Sequence, residues 1–173
     1  VQAQYATTVF TDKAIDWIGE QDDPWFMWLA HTAPHSPLHL PPASLHDRSE
    51  LSGNQGDIQA DPTPYYFAMI EAMDSEMNRL FHTVDLTNTI VIFMGDNGTA
   101  RNVIQYPFDF SRAKSSVYQG GVLCPLVVSG AGVTRLGERE DALINDTDIF
   151  ATVAELTGIS LPAIHDSQSF YEL

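Results

Sequence analysis

Residues 89–100 read TIVIFMGDNGTA and join an uninterrupted apolar run to a Gly-Asp-Asn-Gly turn. The apolar run has the length of a strand and lacks polar alternation, which predicts a buried strand. Gly95 and Gly98 allow the backbone to bend tightly on either side of Asp96 and Asn97. Adjacent carboxylate and carboxamide oxygens suit a hard divalent cation, so this turn is a candidate Ca²⁺ or Mg²⁺ half-site. The alternative is an ordinary Asn-Gly turn after a strand.

Helices and apolar strands alternate on both sides of this turn. Such alternation predicts an α/β fold with a mostly parallel sheet covered by helices on both faces. The length of 173 residues and the hydrophobic content of 44% fit one domain over residues 1–173. The predicted elements are a helix over about 8–20 capped by Thr8 or Thr11, a strand at 24–31 buried on both faces, a long loop at 32–61, a helix near 62–84, strands at 89–94 and 122–130, and a helix at 145–158 capped by Asn145 or Asp146.

The charge balance restricts the partners. Eight basic residues stand against 23 acidic residues, giving a formal charge of −15. This charge repels nucleic acid and anionic membranes, so neither is an expected partner. A single cysteine, Cys124, rules out an internal disulfide, and its apolar surroundings favour burial in a strand. The chain opens on Val1 without a leader, which favours an excised piece, and its composition is compatible with a periplasmic or secreted protein.

Three histidines recur at four-residue intervals in HTAPHSPLH, residues 31–39. Pro34 and Pro37 prevent a helix from placing the three rings on one face, which argues against a helical zinc site. A histidine in such a loop suits an exposed general acid or anion ligand, and ordinary surface exposure is the alternative for each. Lys114 lies in a polar segment ahead of a strand, where its ammonium can hold an anionic substrate.

In chain order these segments resemble the sulfatase family of the alkaline-phosphatase-like superfamily. The resemblance spans almost the whole chain and rests on six ordered matches. These are a strand and Ala-Pro-His-x-Pro loop in PWFMWLAHTAPHSPLHLPP, the helix YYFAMIEAMDSEMNRLF, the strand end TIVIFMGDNG, the segment KSSVYQGGVLCPLVVSGAG, the helix NDTDIFATVAELTGISLP, and HDSQSF after it. The implied fold is alkaline-phosphatase-like and incomplete, and the implied reaction is hydrolysis of a sulfuric ester.

The resemblance also implies roles for four residues. Asp96 and Asn97 would ligate Ca²⁺, His35 would contact the sulfate and its leaving oxygen, and Lys114 would bind the sulfate. This assignment agrees with the charge that develops on the departing oxygen, which a metal, a lysine and a protonated histidine stabilise. The expected partner is therefore a sulfate ester substrate.

The departures from the family pattern limit what the chain does alone. The Cys/Ser-x-Pro-x-Arg motif that supplies the formylglycine nucleophile does not occur, nor does the family's N-terminal Asp-Asp pair that completes the metal site. Gly95 replaces the usual Ser, and Gln119 replaces the usual Glu. Because two oxygens fall short of the six to eight that Ca²⁺ takes, weak or absent Ca²⁺ binding is expected, together with no turnover. Missing strands would also expose a sheet edge or apolar patch, which favours self-association.

Two other functions stay open. The same fold serves phosphoryl and phosphonate ester hydrolases with two transition metals, and a chain without a nucleophile is also compatible with a non-catalytic scaffold. The substrate is not readable from the sequence. The loops LPPASLHDRSELSGNQGD and ARNVIQYPFDFSR are expected to contribute to specificity.

Overall fold

The chain is described by a computed structural model over residues 4–162 and 166–173. It divides into two compact units, residues 1–132 and 133–173. The prediction of one domain over 1–173 stays a prediction. The predicted HDSQSF match begins at His165, which lies outside the described residues. The elements of the first unit are α1 (Ala6–Gly19), α2 (Gln55–Ala60), α3 (Thr63–Phe81), β1 (Ile90–Met94), α4 (Gln119–Val122) and β2 (Leu126–Gly130), with short 3₁₀ helices at Arg101–Val103 and Phe110–Arg112; the second unit holds α5 (Asp148–Leu156).

Helix α1 begins two residues before the predicted start and packs on α3. The predicted cap was wrong, because Tyr5 is the N-cap and makes no side-chain capping bond. Thr8 instead donates a hydrogen bond across the helix interface to Glu76 Oε1 at 2.6 Å. Thr11 donates to the Thr7 carbonyl within α1 at 3.0 Å. The hydroxyl groups of both threonines therefore form hydrogen bonds within the helix pair, and neither caps the start of α1.

Helix α3 confirms the predicted amphipathic helix but buries a different stripe. Of the predicted apolar positions, Met69 and Leu80 are buried, whereas Tyr66 and Met73 are only half-buried. Two of the buried positions, Ala68 and Ala72, carry small side chains, which let a neighbouring helix approach closely. The buried residues of α3 are Tyr65, Ala68, Met69, Ala72, Glu76 and Leu80.

The segment after α1 was predicted as a strand buried on both faces, and this prediction was wrong. In the described chain, residues 24–31 form no strand and join no sheet. Burial alternates along the segment, with Trp25, Met27 and Leu29 half-buried. Phe26 and Trp28 are 59% and 65% exposed. One side of this segment is therefore uncovered in the described chain.

The long loop at 32–61 was predicted without regular structure, but its last part forms the short helix α2. The Asn54 side chain caps this helix by accepting a hydrogen bond from the Gly56 N–H at 2.8 Å. The first part of the loop is held against α3. There Arg48 forms an ion pair with Glu71 at 2.6 Å, and the Ser75 hydroxyl donates to the Leu45 carbonyl at 3.1 Å.

The described residues form one sheet of two strands, which run antiparallel. The register pairs Ile90 with Gly130 and Met94 with Leu126. The prediction of a mostly parallel sheet is therefore wrong for the described chain. Parallel strands need a crossover to the opposite end of the sheet, usually through a helix. Residues 95–125 contain only short helical turns and return to the same end, so the second strand runs back along the first.

The second strand is shorter and less buried than predicted. It begins at Leu126, and Val127 and Val128 are exposed. Cys124 lies ahead of the strand and is half-buried, so its predicted burial within a strand was wrong. The reason is that residues 119–122 form the helical turn α4 before the chain enters the sheet.

In the second unit, α5 is joined to the C-terminal segment through one buried carboxylate. Asp148 accepts hydrogen bonds from the backbone N–H groups of Asn145 and Gln168, both at 2.8 Å. The predicted cap by Asn145 or Asp146 was wrong, because the N-cap is Thr147, whose N–H donates to Asn145 Oδ1 at 3.2 Å. No helix in residues 4–162 or 166–173 combines the length and apolar character needed to cross a bilayer.

Candidate active site

The end of β1 is fixed by backbone hydrogen bonds to the segment around α4. The Gly95 N–H donates to the Pro125 carbonyl at 3.0 Å, and the Gly98 N–H donates to the Gly121 carbonyl at 2.9 Å. A Cβ at Gly98 would lie 2.2 Å from the Gly120 carbonyl oxygen, far inside van der Waals contact. Glycine is therefore required at this position because two backbone segments pass against each other.

Asp96 and Asn97 lie between these two anchored glycines. Asp96 is exposed and Asn97 is half-buried. Neither side chain forms a hydrogen bond or ion pair with the described part of the protein. Their oxygens are thus uncommitted, and one charged and one neutral hard donor fit part of a Ca²⁺ coordination shell.

A complete metal site is not formed by the residues that the structure describes. Within them, no group of three or more His, Cys, Asp or Glu side chains is arranged to hold a metal ion. Asp96 and Asn97 would supply two of the six to eight oxygen ligands of Ca²⁺. The pair fits a half-site that other ligands would have to complete.

Lys114 is held next to the same strand end through its backbone. Its N–H donates to the Thr99 carbonyl at 2.9 Å, two residues beyond Asn97. Ser115 follows in the left-handed region with φ of 72°, which turns the chain sharply after the lysine. Lys114 is half-buried, and its ammonium forms no ion pair within residues 4–162 or 166–173. The structure therefore brings the backbone of Lys114 close to the strand end that carries Asp96 and Asn97.

His35 is exposed in the loop that follows the extended segment. Its N–H donates to the Thr32 carbonyl, and its Nδ1 lies 2.8 Å from the Ser36 carbonyl. Because a carbonyl only accepts, Nδ1 carries the proton in this contact and Nε2 is left for a ligand. No contact in the described chain links His35 to the other three predicted site residues. Their convergence on one pocket stays a prediction.

Tyr66 is a site neighbour that sequence reasoning treated only as part of the apolar stripe. Burial raises the pKa of its phenol, and the nearby Thr99 side chain partly offsets this by lowering it. Thr99 thus connects α3 to the segment that carries Lys114. In the sequence, Tyr66 lies within the apolar pattern of α3, and nothing in that pattern predicts its contact with Thr99.

A buried polar cluster between α1 and α3 also escaped sequence reasoning. Glu76 is 3% exposed and receives hydrogen bonds from Thr8 and Arg79. Both ring nitrogens of His31 are buried without a hydrogen-bond partner in the described chain. Burial lowers the pKa of His31, and the Glu76 carboxylate partly raises it. The available signal was the spacing of Glu76, four residues from both Ala72 and Leu80 on the buried face.

The comparison with protein families decides the assignment. The family model described as Sulfatase matches residues 1–159. The chain belongs to the sulfatase family. It is 30% identical over 169 residues to the uncharacterised sulfatase YdeN of Escherichia coli (strain K12), covering 91% of this chain and 28% of that protein. It is 29% identical over 175 residues to an arylsulfatase of Hemicentrotus pulcherrimus, covering 96% of this chain and 30% of that protein.

Solved structures show the same fold. The crystal structure of Ps i-CgsB matches with a TM-score of 0.78 at 24% identity, covering 93% of this chain and 36% of that one. The complex of Ps i-CgsB with k-i-k-neocarrahexaose matches with the same TM-score at 23% identity. This sulfatase chain thus spans about a third of the length of the solved structure it matches, and it forms an incomplete α/β fold.

Proposed function

We propose that this chain forms part of a sulfatase that hydrolyses sulfuric esters by a Ca²⁺-assisted formylglycine mechanism. The observation that carries the proposal is the family match over residues 1–159 together with the uncommitted Asp-Asn pair at the end of β1. The hydrogen bond from the Lys114 N–H to the Thr99 carbonyl supports the proposal further, because it brings the main chain of Lys114 close to the same strand end. The chain spans 28% and 30% of the two curated relatives described above, so the activity of the whole protein is part of the proposal.

Each predicted residue has one task in this reaction. Asp96 and Asn97 would hold the cation, which when bound supplies Lewis-acid stabilisation to the sulfate oxygens. The Lys114 ammonium would pair with a sulfate oxygen, since it has no competing carboxylate in the described chain. His35, protonated on both ring nitrogens, would donate the Nε2 proton to the leaving oxygen, because the Nδ1 proton is engaged by the Ser36 carbonyl.

The nucleophile in this proposal belongs to a Cys/Ser-x-Pro-x-Arg segment that the chain does not contain. The chain by itself is therefore expected to be inactive. It is also expected to bind Ca²⁺ weakly or not at all, because Asp96 and Asn97 complete only a third of the shell or less. A periplasmic or secreted location is part of the same proposal.

The experiment compares the two lysines of the chain in a longer protein that includes the nucleophile segment. Lys114→Ala should lower kcat/KM for 4-nitrophenyl sulfate about 100-fold or more, because it removes a charge aimed at the developing anion. Lys13→Ala is the matched control, since Lys13 is exposed on α1 and is the only other lysine. Equal effects of the two substitutions would contradict the role of Lys114.

Two further measurements test the reaction itself. Asp96→Asn should raise the Ca²⁺ concentration needed for half-maximal activity, because it removes the charged ligand of the pair. 4-Nitrophenyl phosphate, offered beside the sulfate, should be the poorer substrate. A preference for phosphate would replace the proposed activity with phosphoryl ester hydrolysis. Turnover of either ester by the purified 173-residue chain would contradict its expected inactivity.

A further inference from the structure

His35 lies in the loop of residues 31–39, and its own hydrogen bonds do not determine where that loop lies. Within the described chain these bonds all stay inside the loop. The His35 N–H donates to the Thr32 carbonyl at 2.8 Å, and Nδ1 lies 2.8 Å from the Ser36 carbonyl. The position of the His35 ring therefore depends on contacts that the two ends of the loop make with other elements.

The C-terminal end of the loop contacts the start of α1. The ring of Tyr5 meets the ring of His39 edge-on, with the ring centroids 5.7 Å apart and an angle of 71° between the planes. Edge-to-face packing is a favourable arrangement of two aromatic rings. Tyr5 is the N-cap of α1, and its carbonyl accepts a hydrogen bond from the Val9 N–H at 3.0 Å. The backbone of the helix therefore fixes the point from which the Tyr5 ring reaches the loop.

The hydroxyl group of Tyr5 contributes no bond to this contact. It is buried and forms no hydrogen bond with the described residues. A buried hydroxyl without a partner does not stabilise the structure. The packing against His39 is therefore a property of the aromatic ring, which phenylalanine also has.

The N-terminal end of the loop lies beside the same helix pair. Both ring nitrogens of His31 are buried without a hydrogen-bond partner in the part of the chain that the structure describes. Burial lowers the pKa of this ring, and the nearby Glu76 carboxylate partly raises it. Glu76 in turn accepts a hydrogen bond at 2.6 Å from Thr8, which follows Tyr5 by three residues. Both ends of the loop thus lie near α1 and α3, with His35 between them.

We propose that Tyr5 is a positioning residue, whose ring holds the His39 end of the loop and thereby sets where the Nε2 proton of His35 meets the leaving oxygen. This inference rests on the proposed function, in which His35 is the proton donor. A proton donor acts only within hydrogen-bond reach of the oxygen, so a shifted loop lowers the rate while the protein stays folded. Tyr5 acts through His35 and makes no contact with the substrate.

The test compares two sulfate esters in the longer protein that includes the nucleophile segment. Phenyl sulfate depends more on the proton donor than 4-nitrophenyl sulfate does, because phenolate is the poorer leaving group. Tyr5→Leu should lower kcat/KM about 30-fold for phenyl sulfate and about threefold for 4-nitrophenyl sulfate. Equal losses for the two esters would show a general loss of active protein and overturn the inference.

Two further variants assign the effect to the ring contact. Tyr5→Phe keeps the ring and should stay within about twofold of the wild type for both esters. Trp17→Leu is the matched control, because Trp17 of the same helix meets Trp25 edge-on at 6.1 Å and Trp25 lies outside the loop. It should change kcat/KM for both esters by the same factor. A selective loss for phenyl sulfate in Tyr5→Phe or in Trp17→Leu would overturn the assignment.

The dependence on His35 is measured by combining substitutions. After His35→Gln, Tyr5→Leu should lower kcat/KM for phenyl sulfate by less than about twofold, because the group that it positions is already absent. A loss that multiplies with that of His35→Gln would mean that Tyr5 acts independently of His35. His39→Leu removes the same ring pair from the loop side, so it should reproduce the selective loss even if Tyr5→Leu does not fold.

Amide hydrogen exchange separates failure of this inference from failure of the proposed function, because it needs no turnover. In the longer protein, peptides covering residues 31–39 should exchange faster in Tyr5→Leu than in the wild type, and Trp17→Leu should leave them unchanged. Unchanged exchange in Tyr5→Leu would overturn the inference while leaving the reaction intact. Faster exchange in a protein that hydrolyses neither ester would support the loop contact and overturn the proposed reaction.

Discussion

At the scale of single residues, the glycines around the Asp-Asn pair determine how close two backbone segments pass. Gly98 lies against the carbonyl of Gly120, and Gly121 lies equally close to the carbonyl of Ser116. Neither glycine has a positive φ. Glycine is therefore required at both positions because a Cβ would overlap neighbouring backbone atoms, and not because of the backbone conformation. The position of Asp96 and Asn97 depends on this contact.

Substitution of Gly98 by alanine should therefore destabilise the fold by about 3 kcal/mol, because the new methyl group overlaps backbone atoms that have no rotamer to change. The free energy of unfolding in urea measures the effect. Gly53→Ala is the control, since a Cβ at Gly53 meets no atom within 4 Å. A loss at Gly98 no larger than that at Gly53 would contradict the close backbone approach.

His31 is a second residue whose surroundings give it a measurable property. Its ring nitrogens are buried without partners in the described chain, and burial lowers its pKa. The unfolded chain takes up a proton near the ordinary value of about 6.5, whereas the folded chain takes it up at lower pH. Between these values the unfolded state binds more protons, so stability falls as the pH decreases.

The free energy of unfolding should therefore decrease between about pH 7.5 and pH 5.5, a range in which ordinary carboxylates stay ionised. His31→Phe should reduce this pH dependence, because it removes the titrating ring and leaves no unsatisfied polar atom. His82→Gln serves as control for an exposed histidine. The explanation fails if the wild type and His31→Phe lose stability in parallel over this range.

At the scale of elements, a hydrogen bond between side chains joins α1 to α3. Glu76 accepts from Thr8 of α1 through one oxygen and from Arg79 through the other, at 2.6 Å in both cases. Arg79 also reaches Asp12 of α1 at 2.7 Å. The carboxylate of Glu76 is buried, whereas the side chains of Asp12 and Arg79 are about half exposed.

Glu76→Gln should destabilise the helix pair by about 2–3 kcal/mol, because an amide nitrogen would face a donor and the charge-assisted bonds would be lost. Asp12→Asn, which affects the same arginine at the surface, should cost less than about 1 kcal/mol. Chemical unfolding of both variants provides the comparison. Similar losses for the two would show that burial of Glu76 does not determine its contribution.

At the scale of the whole molecule, the chain combines a strongly acidic surface with uncovered aromatic side chains. Phe26 and Trp28 project from the extended segment after α1, which has no ladder partner in the described residues. Uncovered aromatic rings beside unpaired backbone favour association with another strand. The charge of −15 opposes contact between two copies and is screened by salt.

Self-association at micromolar concentration is therefore expected to strengthen when the salt concentration rises. Replacement of both Phe26 and Trp28 by Glu should shift the sedimentation coefficient to that of a monomer. Leu143→Glu is the control, because Leu143 is a fully exposed apolar residue outside this segment. A wild-type chain that sediments as a monomer at high salt would refute the expectation.

The sequence by itself determined the family, the long amphipathic helix α3 and the Asp-Asn turn after a strand. These features depend on local spacing and on residue types in chain order, which the sequence carries directly. Only the tertiary structure decided that the two strands run antiparallel, that residues 24–31 expose one face, and that Glu76 is buried against α1. The direction of a strand, the packing on its two faces and the burial of a side chain depend on which distant segments come into contact. An apolar run has the same sequence pattern whether one of its faces is covered or both are.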